Sequence, residues 1–411
     1  MKNSTQIFEM ALQVNKPWYI KSVTLTKPEG DKRGQLDIYI DFEKGGRFID
    51  KGGIMCGVYD TEDRSWQHLN FFEHNCFIHA RVPRIKDSTG EVVTVVVPWA
   101  RSGSGFTLLF EAFAMLLIEY EMPVNKVAST LRVVANRLWR MFNYWVNDAV
   151  SQDSLAKVTK VGIDETSSKK GHNYVTVCAD LEARRVIFVR EGREADVIKE
   201  LAVAIEEKQG SIAAIKQVSI DMSPAYISGV MEHLPQAKIT FDKFHVTALL
   251  SKAMDDLRKA ERKGNDLLKG HKYTVLTNYT NLSTAKQDDL DYLLMTYPRL
   301  GQAYRFKEMF AEFWGIKEKE SALAYLTFWC DMVMDTDIIP FKKFVKTIKS
   351  HWSGIINYIE SGINSGVMEG INNKIQLAKR RARGYRNMYN FINMIYFIAG
   401  KLKFNYPHYP L

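Results

Sequence analysis

The sequence is poor in cysteine. Four thiols, Cys56, Cys76, Cys178 and Cys330, are scattered through 411 residues with no close pair. That spacing excludes a disulfide framework and reads as the reduced thiols of a cytosolic protein. Long apolar runs are missing too. The opening MKNSTQIFEMALQVNKPWYIK has no continuous apolar stretch of the kind a secretory signal carries. The two most apolar segments are residues 106–122, interrupted by Glu111, Glu119 and Glu121, and residues 391–400, too short to span a bilayer. No internal repeat or low-complexity tract stands out, and 12% aromatic content argues against disorder. A soluble, cytoplasmic chain is expected. What is present is a 46% hydrophobic composition, enough to bury a large core divided into two to four domains. The formal charge of +9 favours polyanions over acidic proteins as partners.

Residues 1–103 read as a β-rich domain. In QLDIYIDF, residues 35–42, Leu36, Ile38, Ile40 and Phe42 alternate with polar or amphipathic neighbours, as in a half-buried strand. EVVTVVVPW, residues 91–99, is β-branched and stops at Pro98. Glycine-rich breaks fall at 51–53 and 101–105, and the second marks a domain boundary. Residues 104–155 are helical. Within 122–148 the pattern predicts two short helices with a tight junction near Arg132. In the second, Val134, Leu138, Met141, Phe142 and Trp145 share an apolar face, while Ala135, Asn136, Arg137 and Arg140 project away. This is the pattern of a helix-turn-helix, and equally that of an ordinary amphipathic helix pair.

Residues 156–246 alternate between strands and helices. Strands are predicted at 158–164, 172–180 and 184–192, a helix at 193–209, a strand at 215–221, a short helix, and a strand over AKITFDKFHV, residues 237–246. That order makes a mixed α/β sheet. Residues 247–350 are charged, rich in Leu and Lys, and helical throughout, an all-α insertion before the closing helices of 351–411.

Two strands end in aspartate, Asp164 in KVGID and Asp221 in VSID. A carboxylate at a buried strand end needs cations or hydrogen bonds, and two on adjacent strands repel unless a divalent ion bridges them. Either is also an ordinary turn former or helix cap. Glu165 is a rival ligand, although successive strand residues point to opposite faces. A third acid lies in GVMEGINNKIQLAKRRARGYRN, residues 366–387, where Glu369 stands among Lys374, Lys379, Arg380, Arg381, Arg383 and Arg386. On a helix, Met368, Ile371, Ile375, Ala378 and Ala382 form one apolar arc. Glu369 lies opposite it, with Asn373, Gln376 and Arg380. A first-turn acid also offsets the helix dipole without any further role.

The segments 161–189, 218–230 with FDKFHV at 241–246, and 366–387, together with 68–84 and 97–112, resemble the ISL-three family of bacterial insertion-sequence transposases over nearly the whole chain and in the family's order. The resemblance implies an RNase H-like core with a catalytic, metal-binding triad of Asp164, Asp221 and Glu369, interrupted by the helical insertion, with Asp242 and His245 in support. It implies two Mg2+ or Mn2+ ions per active site, which would serve cleavage at the element's ends and their transfer to target DNA. Double-stranded DNA is the expected partner. The terminal inverted repeats would be read by Asn136, Arg137 and Arg140, and phosphates would be held by Lys374, Arg380, Arg381, Arg383 and Arg386. The protein would work as a homodimer on DNA, and the β-rich domain would bind DNA or pair subunits.

One departure concerns zinc. Where many relatives carry knuckle ligands, this chain has Ile49, Gly52, Asp87 and Gly90, so no structural zinc is expected. Cys56, His74, Cys76 and His79 remain nearby, with Cys76 in step with the apolar Phe72, Ile78 and Val82. A domesticated DNA-binding regulator and an RNase H-like nuclease that cuts without joining are the alternative readings.

Overall fold

The structure is a computed structural model that describes residues 4–27, 33–167, 174–192, 196–263, 266–361, 363 and 366–406. The chain divides into two compact units. The first comprises Met1–Val150, Ala378–Arg383 and Lys403–Leu411, and the second Ser151–Leu377 and Gly384–Leu402.

The first unit opens with α1 (Ser4–Leu12), followed by β1 (Trp18–Thr26), β2 (Gln35–Phe42), β3 (Arg47–Ile49), β4 (Met55–Phe71), β5 (His74–Lys86) and β6 (Val92–Thr94). The sheet runs β1-β2-β5-β4-β3, with β6 paired to β5. Of the apolar run 91–99 only three residues enter the sheet. Leu36, Ile38, Ile40 and Phe42 face its core together with Ile78, Val82, Trp18, Trp66 and Trp99, each large side chain contributing about 1.5–3 kcal/mol by leaving water.

Three helices complete this unit: α2 (Leu108–Glu119), α3 (Val124–Thr130) and α4 (Ala135–Ser151). Arg132 takes φ +58° in the turn between α3 and α4, the tight junction the pattern predicts. Leu138, Met141, Phe142 and Trp145 are buried, but Val134 is 66% exposed. Val134 precedes the helix, so the wheel that groups it with the others does not apply to it.

The second unit begins with β7 (Lys160–Ser167), β8 (Tyr174–Asp180), β9 (Arg185–Glu191), α5 (Asp196–Glu207), β10 (Gln217–Ile220), α6 (Pro224–His233) and β11 (Lys238–Phe241). The expected first residues of β8 and α5, 172–173 and 193–195, lie outside the described residues. The sheet order is β11-β10-β7-β8-β9. β10 is parallel to both β7 and β11, whereas β8 runs antiparallel to β7 and β9. This mixed sheet is consistent with an RNase H-like core.

A helical stretch follows: α7 (Lys243–Glu261), α8 (Lys272–Leu276), α9 (Thr284–Thr296), α10 (Pro298–Phe313), α11 (Lys319–Met334) and α12 (Ile339–Ser350). The stripe Phe341, Phe344, Val345, Ile348 on α12 is buried at helical spacing. Last come α13 (Trp352–Ser361), α14 (Gly366–Arg381) and α15 (Met388–Ala399). The expected strand over 237–246 stops at Phe241. Asp242 then caps α7, its side chain accepting from Phe244 N at 2.8 Å, so His245 sits in the first turn of a helix.

Candidate active site

In the second unit three acids stand level across neighbouring strands. Asp221 and Asp242 lie just past the ends of β10 and β11, and Asp164 lies within β7. That strand does not end at this aspartate as expected but runs on to Ser167 in its pairing with β8. Gln217 pairs with Lys160 and with Lys238 in parallel register. Continued along the strands, those offsets bring Asp221 level with Asp164 on one side and Asp242 on the other. The Asp242 amide donates to Ile220 O at 3.1 Å, carrying the β10–β11 alignment past the strand ends. The carboxyl ends of parallel strands are where open α/β sheets take ligands.

Asp164 is held in place by several groups. Its Oδ1 accepts from the Glu165 amide at 2.8 Å, and its Oδ2 from Asn372 Nδ2 at 2.6 Å. His245 Nε2 lies 3.9 Å from Oδ1. The side chain is 25% exposed, and burial pushes its pKa above the ordinary carboxylate range, with Asp242 adding to the rise. The Glu165 amide, His245 and Asn372 oppose it. Asp221 Oδ1 accepts from Ser223 N at 2.9 Å, making a local turn. The cap and turn roles of Asp242 and Asp221 are therefore real, and each occupies one carboxylate oxygen.

Glu165 points to the other face, where the Tyr226 hydroxyl donates to it at 3.1 Å and lies 2.9 Å from Thr176 Oγ1. Strand alternation separates it from Asp164.

Helix α14 runs along β7 in matched steps. A Cβ added at Gly162 would lie 2.6 Å from Leu181 Cδ2 and 2.9 Å from Met368 Cγ and Sδ, so Met368 packs directly over this glycine. Asn372 meets Asp164, and Gln376 Nε2 donates to Thr166 Oγ1 at 2.8 Å. Four helical residues rise about 6 Å and two strand residues about 6.6 Å. The contacts Met368–Gly162, Asn372–Asp164 and Gln376–Thr166 therefore stay in step. Met368, Ile371 and Ile375 are buried as the wheel predicts. The polar flank is not simply a solvent face, since Asn372 and Gln376 meet the sheet. Glu369 is exposed in the first turn, one turn before Asn372 and about 20° from Gln376 in bearing. Among the described residues no three His, Cys, Asp or Glu side chains are gathered closely enough to hold a metal ion. Asp164, Asp221 and Asp242 are level by register, and Glu369 lies on α14 one turn before the Asn372 that meets Asp164.

Sequence reasoning missed Asn372, Gln376 and Thr166. The available signal was the four-residue spacing of 368, 372 and 376 against the two-residue spacing of 162, 164 and 166.

The basic residues differ among themselves. Lys374, Arg380, Arg383 and Arg386 are exposed, whereas Arg381 is ion-paired with Glu121. In the helix-turn-helix, Asn136 and Arg140 are exposed. Arg137 is committed within its own unit: Nη1 donates to Gln67 Oε1 at 3.3 Å, Nη2 to Gly105 O at 3.2 Å, and the guanidinium lies 4.4 Å from the Phe106 ring centre.

Two loops around the knuckle positions carry aspartates, Asp87 at one of those positions and Asp50 between two others. Asp50 accepts from the amides of Ile54, Ser88 and Gly52, and Asp87 from Thr89 and Glu91. These bonds, led by Ile54 for Asp50 and by the Thr89 hydroxyl for Asp87, hold both carboxyls below their usual pKa. Cys76 is buried, its thiol pushed up to about 12 by desolvation. Cys56 Sγ lies 3.6 Å from Ile54 O, and His74 Nδ1 accepts from Gly34 N. His79 bridges Asp37 and Ser65.

Comparison with known proteins shows the family. Residues 161–395, which include Asp164, Asp221, Asp242, His245 and Glu369, match a family described as transposase. Residues 95–146 match the helix-turn-helix domain of transposase family ISL3. The chain is 30% identical to the transposase for insertion sequence element IS1001 of Bordetella parapertussis, over 87% of this chain and 89% of that one. It is 27% identical to the transposase for insertion sequence element IS1557 of Mycobacterium tuberculosis, over 79% of each. That family implies a dependence on divalent metal, and its helix-turn-helix implies DNA binding. The chain belongs to the ISL3 family of insertion-sequence transposases, enzymes that cleave and transfer DNA.

Proposed function

We propose that this transposase binds the terminal inverted repeats of its element, cleaves at the ends and joins them to target DNA at one site built from Asp164, Asp221 and Glu369. The observation that carries this reading is the level placement of Asp164 and Asp221 in the register of neighbouring parallel strands, with α14 seated on Asp164 through Asn372. The donors suit a hard divalent cation: they are all oxygen, and Asp164 has a pKa raised by partial burial and an imidazole 3.9 Å away. Mg2+ or Mn2+, two ions per site, would be held by Asp164, Asp221 and Glu369. Such ions would supply Lewis-acid activation of the attacking and leaving oxygens.

The chain's own residues do the positioning. Asn372 and the Glu165 amide fix the Asp164 carboxylate. His245 and Asp242 support the site from the start of α7. Lys374, Arg380, Arg383 and Arg386 offer charge to phosphates. Asn136 and Arg140 are the exposed candidates for base edges, with Arg137 setting the position of the helix that bears them. The protein would act as a homodimer on DNA, since two ends are cut together, with the β-rich domain binding DNA or pairing subunits. Five segments would serve distinct purposes: 1–103, the helix-turn-helix of 104–155, the two core parts 156–246 and 351–411, and the insertion 247–350. No helix among the described residues is long and apolar enough to cross a membrane, in keeping with work on DNA in the cytoplasm.

The test is a strand-transfer assay on pre-cut ends beside a cleavage assay on intact ends. The wild type should both cleave and join, and Glu369→Gln should lose both while still binding ends. Joining by Glu369→Gln would remove Glu369 from the site. Cleavage without joining by the wild type would favour a nuclease, and neither activity would favour a regulator.

A further inference from the structure

Asn372 stands one turn beyond Glu369 on α14 and donates from Nδ2 to Asp164 Oδ2 at 2.6 Å, across 208 residues of sequence. Its amide oxygen Oδ1 is buried and has no hydrogen-bond partner among the described residues. Because nitrogen and oxygen share one carbon, the donor bond to Asp164 holds that oxygen beside the carboxylate. A buried acceptor left without a donor is costly, so such a group asks for a partner. The next contact along the helix is different: Gln376 bonds Thr166 and leaves no oxygen among the buried unpartnered ones.

We infer that Asn372 is a positioning residue for the divalent-metal site. Its amide nitrogen orients Asp164, and its amide oxygen receives the cation or one of the cation's waters. An amide oxygen is a suitable neutral ligand for a hard cation, and outer groups that orient a ligand carboxylate tune metal affinity. The inference rests on the reading of Asp164 as a metal ligand, and the experiment separates the two.

Mn2+ binding to the full-length protein is titrated by electron paramagnetic resonance of the free ion, with DNA-end binding and thermal midpoint measured alongside. Asn372→Ala should weaken Mn2+ binding about tenfold to a hundredfold while end binding holds. Asn372→Asp should lower the thermal midpoint without metal, by setting a second carboxylate against Asp164. It should then gain more from added Mn2+ than the wild type does. Gln376→Ala, which breaks only the neighbouring helix-to-sheet bond, should lower the midpoint and leave Mn2+ affinity unchanged. Wild-type Mn2+ affinity in Asn372→Ala, or an equal loss in Gln376→Ala, would overturn the role of Asn372. If Asp164→Asn also binds Mn2+ like the wild type, the underlying site assignment falls with it. If Asp164→Asn alone loses binding, only the inference about Asn372 falls.

Discussion

Among the described residues of the first unit, three of the four buried acids stand against basic side chains, while the fourth, Asp50, accepts from backbone amides that hold its pKa down. Asp37 meets His79 at 2.7 Å, Asp41 meets Arg81 at 3.0 Å, and the fully buried Glu111 meets Arg101 at 2.9 Å, with Ser104 and the Trp145 indole also donating to it. In the second unit the level acids Asp164, Asp221 and Asp242 accept from backbone amides and one carboxamide. Among the described residues His245, at 3.9 Å from Asp164, is the one cation-forming group paired with any of the three. The contrast separates two uses of a carboxylate. An acid neutralised inside the protein holds elements together. An acid that is desolvated without a matching internal cation is suited to an external one, which is the signature of a site.

Substitution of one acid from each set should break that contrast in opposite directions. Asp164→Asn keeps the shape and removes a charge from a desolvated place, so the urea midpoint should hold or rise. Joining of pre-cut ends should fall about 10⁴-fold or more. Unfolding of Asp164→Asn would reduce Asp164 to a structural acid. Glu111→Leu should do the reverse. It leaves Arg101, 17% exposed, without its buried counter-charge and should cost about 3–5 kcal/mol in urea denaturation. Glu111→Gln, which keeps an acceptor for Trp145, should cost less. A Glu111→Leu protein of unchanged stability would end the comparison from the other side.

The legible part of the second unit is the part written in local pattern. Apolar runs leading into aspartate marked β7 and β10, because a central strand needs continuous burial, although β7 runs on past Asp164 to Ser167, where pairing with β8 continues. The turn at Arg132 was readable from where one amphipathic period stops and the next begins. His245 was not, since FDKFHV continues an apolar alternation and only the Asp242 cap, with its bond to Phe244 N, turns the chain into a helix. The Asn372–Asp164 pair had no local signal at all, because its members are brought together by packing. The same holds for Glu111 with Arg101. Position 111 read as an acid breaking an apolar run, while its role depends on a loop that reads as a boundary.

His68 sharpens the contrast within the first unit, because it is an imidazole that burial keeps neutral. His68 lies 2.8 Å from Thr107 Oγ1, and burial lowers its pKa from 6.5 to about 4. The unfolded chain therefore takes up the proton first. Stability from this group is complete above pH 6.5 and is lost as pH falls towards 4, by up to about 3 kcal/mol. Urea midpoints at pH 7.5 and 4.5 should draw apart less in His68→Gln than in the wild type. An equal separation would assign the acid sensitivity to other groups.

The smallest effect concerns the basic residues of α14, which divide as the acids do. Arg381 is already paired with Glu121, while Lys374 is exposed. Each phosphate neutralised on binding releases counterions, so a cation that meets DNA contributes about 0.9 to the slope of log affinity against log salt. Lys374→Gln should lower that slope by about one, equally for end sequences and for unrelated duplexes. Arg381→Gln should change it less, because Glu121 must give up the guanidinium before a phosphate can take it. Filter-binding titrations over a salt series distinguish the two. Equal slopes for both variants would mean that Glu121 releases Arg381 on binding, making that ion pair a contact of the free protein alone.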